Sequence, residues 1–341
     1  MSVALTGVTS SAPTDAALRV RHDLGHRVVV GHGDVDLVTY VYGPDDVQLE
    51  SPRPYLHPVR TLGGELMTLF RPHDHVWHKG IALSLPNVGR HNFWGGPTFV
   101  RDEGYVQLAN NGSMDHVRFT QLEVSGDAAR LAHELAWHTQ PDGPDGGAEV
   151  VRETRRITAT VPPDDGSRAA STAWVLTLES SLTNVSDEAL DIGSPTTNGR
   201  ENAGYGGLFW RGPRAFTGGT ILWPGQAGGE EARGTRAEWM GFTGRHDGSG
   251  ESSSLVVVDD GANPHHPPEW FVRNEWFAGV NPAPFFSEEV PFPPGGTLDL
   301  RYAVVIADGA ADPVRAEALA GFGRTALAGL DAAEPEGVAR G

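Results

Sequence analysis

Thr172-Ala-Trp-Val-Leu-Thr-Leu-Glu-Ser-Ser-Leu182 alternates two sets of side chains: Ala173, Val175, Thr177 and Glu179 fall on one side of an extended chain, and Trp174, Leu176 and Leu178 on the other. Successive side chains of a strand point to opposite faces, so the segment is predicted to be a strand with one face in the core and one in water. The same β-branched grammar recurs at 18–21, 27–30, 35–42, 117–124, 129–139, 149–161, 254–258 and 297–307, with Gly, Asp or Pro between the runs. This predicts at least nine strands, and the Gly/Pro/Asp stretch 141–147 reads as a hairpin loop between two of them. Helical spacing is nearly confined to the end, where Asp312-Pro313 precedes Ala316, Leu319, Phe322, Ala326 and Leu330. Asp312 is the expected N-cap and Pro313 the first-turn residue of one C-terminal helix. The expected fold is all-β: two large antiparallel sheets packed as a β-sandwich, with that helix appended.

Composition agrees. The 44 Gly and 25 Pro among 341 residues favour turns and short strands, while 9 Trp and 13 Phe are ample material for a core. One domain is expected over 17–330, between a disordered N-terminus (1–16) and a disordered acidic tail (331–341). A formal charge of −18 gives no basic face for phosphate backbones or anionic lipid, so nucleic-acid and membrane partners are not expected. No apolar run reaches the roughly 18 residues needed to span a bilayer, and the first fifteen residues lack a basic start followed by an apolar stretch, so a cytoplasmic location is expected. With no Cys there can be no disulfide or thiolate site. A homo-oligomer is left open.

Four of the 14 His fall between His57 and His78, where the chain reads His73-Asp-His-Val-Trp-His-Lys-Gly80. Imidazole exchanges protons near neutral pH and also ligates metals, so His57, Asp74, His75 and His78 are candidates for acid/base catalysis. A divalent metal held by His57, His75 and His78 is the alternative, although no cofactor is demanded by the sequence. In an extended chain His73 and His75 share a face and His78 opposes them; a helical turn would pair His75 with His78. Lys79, the only lysine, is a candidate substrate contact.

Two further segments could wall a pocket. Asn198-Gly-Arg-Glu-Asn-Ala-Gly-Tyr-Gly-Gly-Leu-Phe-Trp-Arg211 is Gly-rich but lacks a P-loop pattern and a following helix, so Glu201 and Arg211 are read as sugar-hydroxyl partners, with glycines allowing close approach of a ligand. Trp270 to Phe286 mixes aromatics with Arg273, Asn274, Glu275 and Asn281, and Asn92-Phe-Trp94 repeats the theme. Aromatic faces beside amides and charges suit sugar rings, whose C–H faces stack and whose hydroxyls hydrogen-bond.

Pro54-Tyr-Leu-His-Pro58, Asp74-His-Val-Trp-His-Lys-Gly80, Asn92-Phe-Trp94, Gly204-Tyr-Gly-Gly-Leu208 and Pro284-Phe-Phe286, in that order, resemble a bacterial family carried under the label "methane oxygenase PmoA" or as a domain of unknown function. The resemblance spans roughly residues 50 to 307. The label implies a membrane copper oxygenase subunit, which the lack of any membrane-length apolar run contradicts. More usefully, the resemblance implies a galactose-mutarotase-like β-supersandwich, similar to aldose epimerases, and an association with sugar metabolism. From the family motif, His57, Asp74, His75 and His78 are the positions carried over, and Lys79 stands where Arg is commoner. The epimerases' own catalytic pattern finds no residue-by-residue match.

Three functions follow as expectations. The first is an isomerase, lyase or hydrolase acting on a small carbohydrate by proton transfer, with His75 or His78 as acid/base, Asp74 fixing the tautomer and Glu201 or Glu275 opposing. The others are a non-catalytic sugar-binding or sensing protein and a His-ligated metal enzyme.

Overall fold

The computed structural model describes residues 17–163 and 166–333. The segment 1–16 and the last residues, 334–341, both expected to be disordered, lie outside the described residues. Two antiparallel sheets form the body: eight strands in one and nine in the other. All nine segments read from the sequence are strands, and shorter ones that β-branched runs do not announce, such as Ile81–Ser84, Gly207–Arg211 and Gly279–Ala283, complete the eight-stranded sheet.

Between the sheets lies one continuous core. Leu56, Leu83, Leu208, Trp210, Trp270 and Val272 enter it from the eight-stranded sheet, and Trp137, Trp174, Leu176, Leu178, Leu300 and Val304 from the nine-stranded sheet. Each fully buried aromatic or aliphatic side chain contributes about 1.5–3 kcal/mol relative to an exposed one. A buried ion pair, Arg155–Glu153, sits in the same core, its carboxylate also accepting from Trp137 Nε1 at 2.8 Å and Ser180 Oγ at 2.7 Å. Those extra donors satisfy the oxygens that burial would otherwise leave unpaired.

The strand that decided the fold, Ala173–Asn184, departs from expectation in one respect. Trp174, Leu176 and Leu178 face the core as predicted, but Ala173 and Val175 are also buried, at 0% and 2% exposure. They lie under the C-terminal helix Pro313–Ala333, with Ala316, Leu319, Ala320 and Leu327 packed on them and on Val256, Val258, Ala303 and Val305. Only further along, at Glu179, is that face less enclosed. Asp312 caps the helix: its Oδ1 accepts from Arg315 N at 2.8 Å. Residues 331–333, expected in the tail, belong to this helix, and a short second helix, Arg168–Ser171, was not foreseen.

The eight-stranded sheet is treated differently. Its strands Gly207–Arg211 and Glu269–Arg273 turn Leu208, Trp210, Trp270 and Val272 inward, so the period of two sends Phe209, Arg211, Phe271 and Arg273 to the outer face. No α-helix of the described residues covers them there; loops and the 3-10 turn Glu230–Ala232 build a cleft on them.

Candidate functional site

The cleft encloses about 810 Å³, in the range of small-molecule sites. Phe209 and Phe277 form its floor with His78, and Trp77, Trp94, Tyr205 and Trp276 rise around them. Trp276 is 73% exposed at the rim. Asp74, Arg200, Arg214 and Arg273 supply the charge.

Two consecutive turns create the reactive corner. His75 N donates to Pro72 O at 3.0 Å and His78 N to His75 O at 2.9 Å, which folds the segment so that His75 and His78 lie on one side. Their rings stack with centroids 4.7 Å apart and an interplanar angle of 20°. His73 takes no part and is exposed. This is the helical-turn alternative of the sequence reading, and it joins two histidines rather than three.

Asp74 is the hub. Its Oδ2 accepts from His75 Nδ1 at 3.2 Å and from Arg211 at 3.3 Å, and its Oδ1 accepts from Arg214 at 2.9 Å. Partial burial works against its charge, but the Arg214 hydrogen bond and the charge of Arg211 outweigh it and hold the carboxyl well below the usual carboxylate range. Arg211, fully buried, lies over the Phe277 ring at 3.9 Å and donates to His78 Nδ1 at 3.1 Å. Burial lowers its own pKa to about 10, which leaves it cationic at neutral pH.

These partners fix both tautomers. An ionised carboxylate can only accept, so the proton of His75 is on Nδ1 and Nε2 is the free base. A guanidinium can only donate, so His78 Nδ1 is bare and a neutral His78 carries its proton on Nε2. Burial pushes the His75 pKa down, Asp74 opposing and Arg211 and Arg273 assisting. Burial also drives His78 well below its ordinary value, reinforced by His75, Arg211 and Arg53. Two neutral imidazoles with opposite tautomers therefore sit side by side, one offering a lone pair and the other an N–H.

The wall depends on residues that do not touch the cleft. Arg53 donates to Trp77 O at 2.6 Å, and the Trp77 ring presses on Gly95 and Gly96, where a Cβ at Gly96 would come within 2.7 Å of it. Asn92 Oδ1 accepts from Trp94 N and Gly95 N at 2.8 and 2.9 Å, and its Nδ2 donates to Gly96 O at 3.2 Å.

Of the residues singled out from the sequence, Asp74, His75, His78, Trp94 and Arg273 line the cleft and Arg211 lies directly behind it. The others are placed elsewhere. His57 packs on Phe70 with centroids 5.4 Å apart, its Nδ1 2.8 Å from Thr68 Oγ1, and burial lowers its pKa to about 4. It does not converge with His75 and His78, and no group of three or more His, Asp or Glu is arranged for a metal among the described residues. Lys79 is fully buried between Asp46, at 2.9 Å, and Glu50, and does not line the cleft. Asn92 shapes the loop described above. Asn281 brackets two strands, accepting from Gly206 N at 2.9 Å and donating to Leu208 O at 2.7 Å, and Asn274 Nδ2 donates to Gly219 O at 2.8 Å. Glu201 and Glu275 are exposed and do not line the cleft, so neither opposes the histidines. Nor do the glycines of 204–207 approach a ligand: a Cβ at Gly204 would strike the Phe286 ring and one at Gly207 (φ +113°) would come within 2.9 Å of Pro282 O.

Sequence reasoning missed Tyr105, Arg200 and Arg214. Arg200 stood beside the chosen Glu201 and Arg214 just beyond Pro213; nothing in the local pattern distinguished them, and Tyr105 carried no signal at all.

Residues 27–321 match the model of a family of unknown function, DUF6807. No curated protein matches the chain. Among solved structures the chain is similar to a candidate aldose 1-epimerase from Klebsiella pneumoniae, with 11% identity, a TM-score of 0.41, and 87% of this chain and 82% of that one covered. It is similar to a galactose mutarotase-like protein from Clostridium acetobutylicum, with 10% identity, a TM-score of 0.37, and 86% and 99% covered. A third is a heparan sulfate lyase from Pedobacter heparinus, with 9% identity, a TM-score of 0.34, and 90% of this chain and 38% of that one covered. At these scores the likenesses carry no substrate or reaction. The methane-oxygenase label has no counterpart among these matches, and no described helix is long and apolar enough to cross a membrane.

Proposed function

The chain belongs to the family of unknown function DUF6807, and on that premise we propose, from the cleft itself, an enzyme that moves a proton on a sugar derivative. The observation that carries this is the pair of stacked neutral histidines held in opposite tautomers by Asp74 and Arg211. His75 Nε2 is the general base, kept uncharged by burial and steered by Asp74. His78 is the hydrogen-bond donor, able to polarise or protonate an oxygen beside the carbon or hydroxyl that His75 deprotonates. Positioned groups of this kind contribute about 10²–10⁴-fold to rate. Trp77, Trp94, Tyr205 and Phe277 offer the faces on which a sugar ring stacks, and Trp276 closes one side of the mouth. Isomerisation, elimination and cleavage all use such a pair.

The test is a panel of sugars, keto-sugars and glycosides presented to wild type and His75→Asn. Thermal shift reads binding, and proton NMR in heavy water reads turnover or deuterium uptake. The expected result is a sugar that stabilises both proteins and that wild type alone converts. Binding without conversion by either would make this a sugar-binding protein; no binding by any member would sink the carbohydrate reading.

A further inference from the structure

The charge of the cleft opposes the charge of the chain. The protein carries 44 acidic against 26 basic residues, yet the lining holds one carboxylate, Asp74, and three arginines, Arg200, Arg214 and Arg273. Behind the lining, Arg211 and Arg233 add cations, and Glu230 and Glu275 add anions. Pairing within this set is uneven. Asp74 is shared by Arg211 and Arg214, and Glu230 by Arg233 and Arg273. Asp74 and Glu230 each already serve two guanidinium groups.

Arg200 has none. Among the described residues no carboxylate lies within 4.0 Å of it; it hydrogen-bonds the Tyr105 hydroxyl and lies 4.7 Å from the centroid of that ring. Tyr105 Oη is in turn 2.9 Å from Tyr205 Oη. Because a guanidinium only donates, Tyr105 accepts from Arg200 while its hydroxyl also shares a hydrogen bond with Tyr205, whose ring packs against Trp94 with centroids 4.6 Å apart. Arg200 is thus fixed to the aromatic wall by a chain of neutral groups, with donors to spare. An arginine fork matches the paired oxygens of a carboxylate or phosphate, and Arg200, exposed at the mouth of the cleft with donors unused by any carboxylate of the described residues, is placed to meet such a group.

We propose that the cleft takes a sugar bearing an anionic group, a carboxylate or a phosphate ester, which Arg200 binds at the mouth while the ring lies along Trp94 and Tyr205. The proposal rests on the carbohydrate reading above and gives its substrate class. It also fits the chemistry of the His pair: a guanidinium against a carboxylate stabilises the charge that develops there when the adjacent C–H is deprotonated.

Isothermal titration with glucuronate, its methyl ester, glucose, glucose 6-phosphate, galacturonate and galactose tests it, using wild type, Arg200→Gln and Arg200→Lys. The acid or the phosphate should bind at least about tenfold more tightly than its neutral counterpart, and the acid and phosphate arms identify which group is preferred. Arg200→Gln should erase the preference while neutral sugars still bind, and Arg200→Lys should restore part of it. Equal binding of acid, ester and parent sugar, or a preference that survives Arg200→Gln, overturns the proposal and leaves the carbohydrate reading standing. If no sugar binds, charged or neutral, the carbohydrate reading itself fails.

Discussion

His78 accepts a hydrogen bond from Arg211 at 3.1 Å through Nδ1, the one ring atom that would have to bind a proton for the side chain to become imidazolium. The same guanidinium group reaches Asp74, the acceptor for His75, at 3.3 Å. One buried arginine therefore sets the protonation of both histidines, denying a proton to one and anchoring the carboxylate that orients the other.

The tautomers can be observed directly. Nitrogen-15 imidazole spectra should show His75 protonated on Nδ1 and His78 on Nε2 at pH 7. Both pKa values should lie below 6.5, His78 the lower, because burial disfavours the charged form in each. A His78 that titrates at or above 6.5 would contradict the arrangement.

Asp74→Asn keeps the shape of the hub but removes its charge, and an amide can turn a donor toward His75 Nδ1. The wrong tautomer then places the proton on Nε2. Turnover of the substrate identified by the sugar panel should fall on the order of 10²-fold or more, with a smaller change in KM. In wild type the rate should rise with pH below 6.5 as His75 deprotonates and stay level through neutrality. An Asp74→Asn enzyme with wild-type kcat would remove Asp74 from the mechanism.

Lys79 adjoins His78 in sequence but serves the fold. Replacing it with Met leaves Asp46 and Glu50 buried, with only Arg71 still paired to Glu50. Breaking a buried ion pair from one side costs about 3–5 kcal/mol, so urea midpoints should drop accordingly. A stable Lys79→Met protein that has lost sugar affinity would instead return this lysine to the site.

Acid should weaken the fold before its carboxylates titrate. Burial, with the charge of Arg155, depresses the His133 pKa to about 2, far below the 6.5 of an unfolded chain. A depressed folded pKa gives stability that is complete above pH 6.5 and lost as pH falls toward the folded value. Below pH 6.5 the loss from this group steepens toward a limit of about 1.4 kcal/mol per pH unit, reached near pH 5. Urea unfolding at pH 7, 6 and 5 should show the slope, and His133→Asn, though less stable at pH 7, should show a shallower one. Equal slopes would mean that His133 is protonated without cost.

Periodicity made the strands legible because it is local: Trp174, Leu176 and Leu178 declare a buried face by their spacing alone. What covers the opposite face is not local, so Ala173 and Val175 read as the start of a wet face until the C-terminal helix is laid on them. The site divides in the same way. Asp74, His75 and His78 lie within five residues, and a turn suffices to gather them. Tyr105 arrives from the short strand Gly104–Val106, and Arg200 and Arg214 from a loop and a 3-10 turn far along the chain from it. His57 and Lys79 were drawn in by proximity in sequence, but their side chains found partners in Thr68, Phe70, Asp46 and Glu50 instead.

The alternation in Glu269–Arg273 and Gly207–Arg211 has a consequence for how such a protein can change its chemistry. Leu208, Trp210, Trp270 and Val272 hold the sheets together, while Phe209, Phe271 and Arg273 meet the ligand space. Selection for a new substrate can rewrite every second codon of these two strands and leave the interior untouched. A combinatorial library at 209, 271 and 273 should therefore yield mostly folded variants with diverse specificities, whereas the same diversity placed one residue earlier at each position would yield mostly insoluble protein.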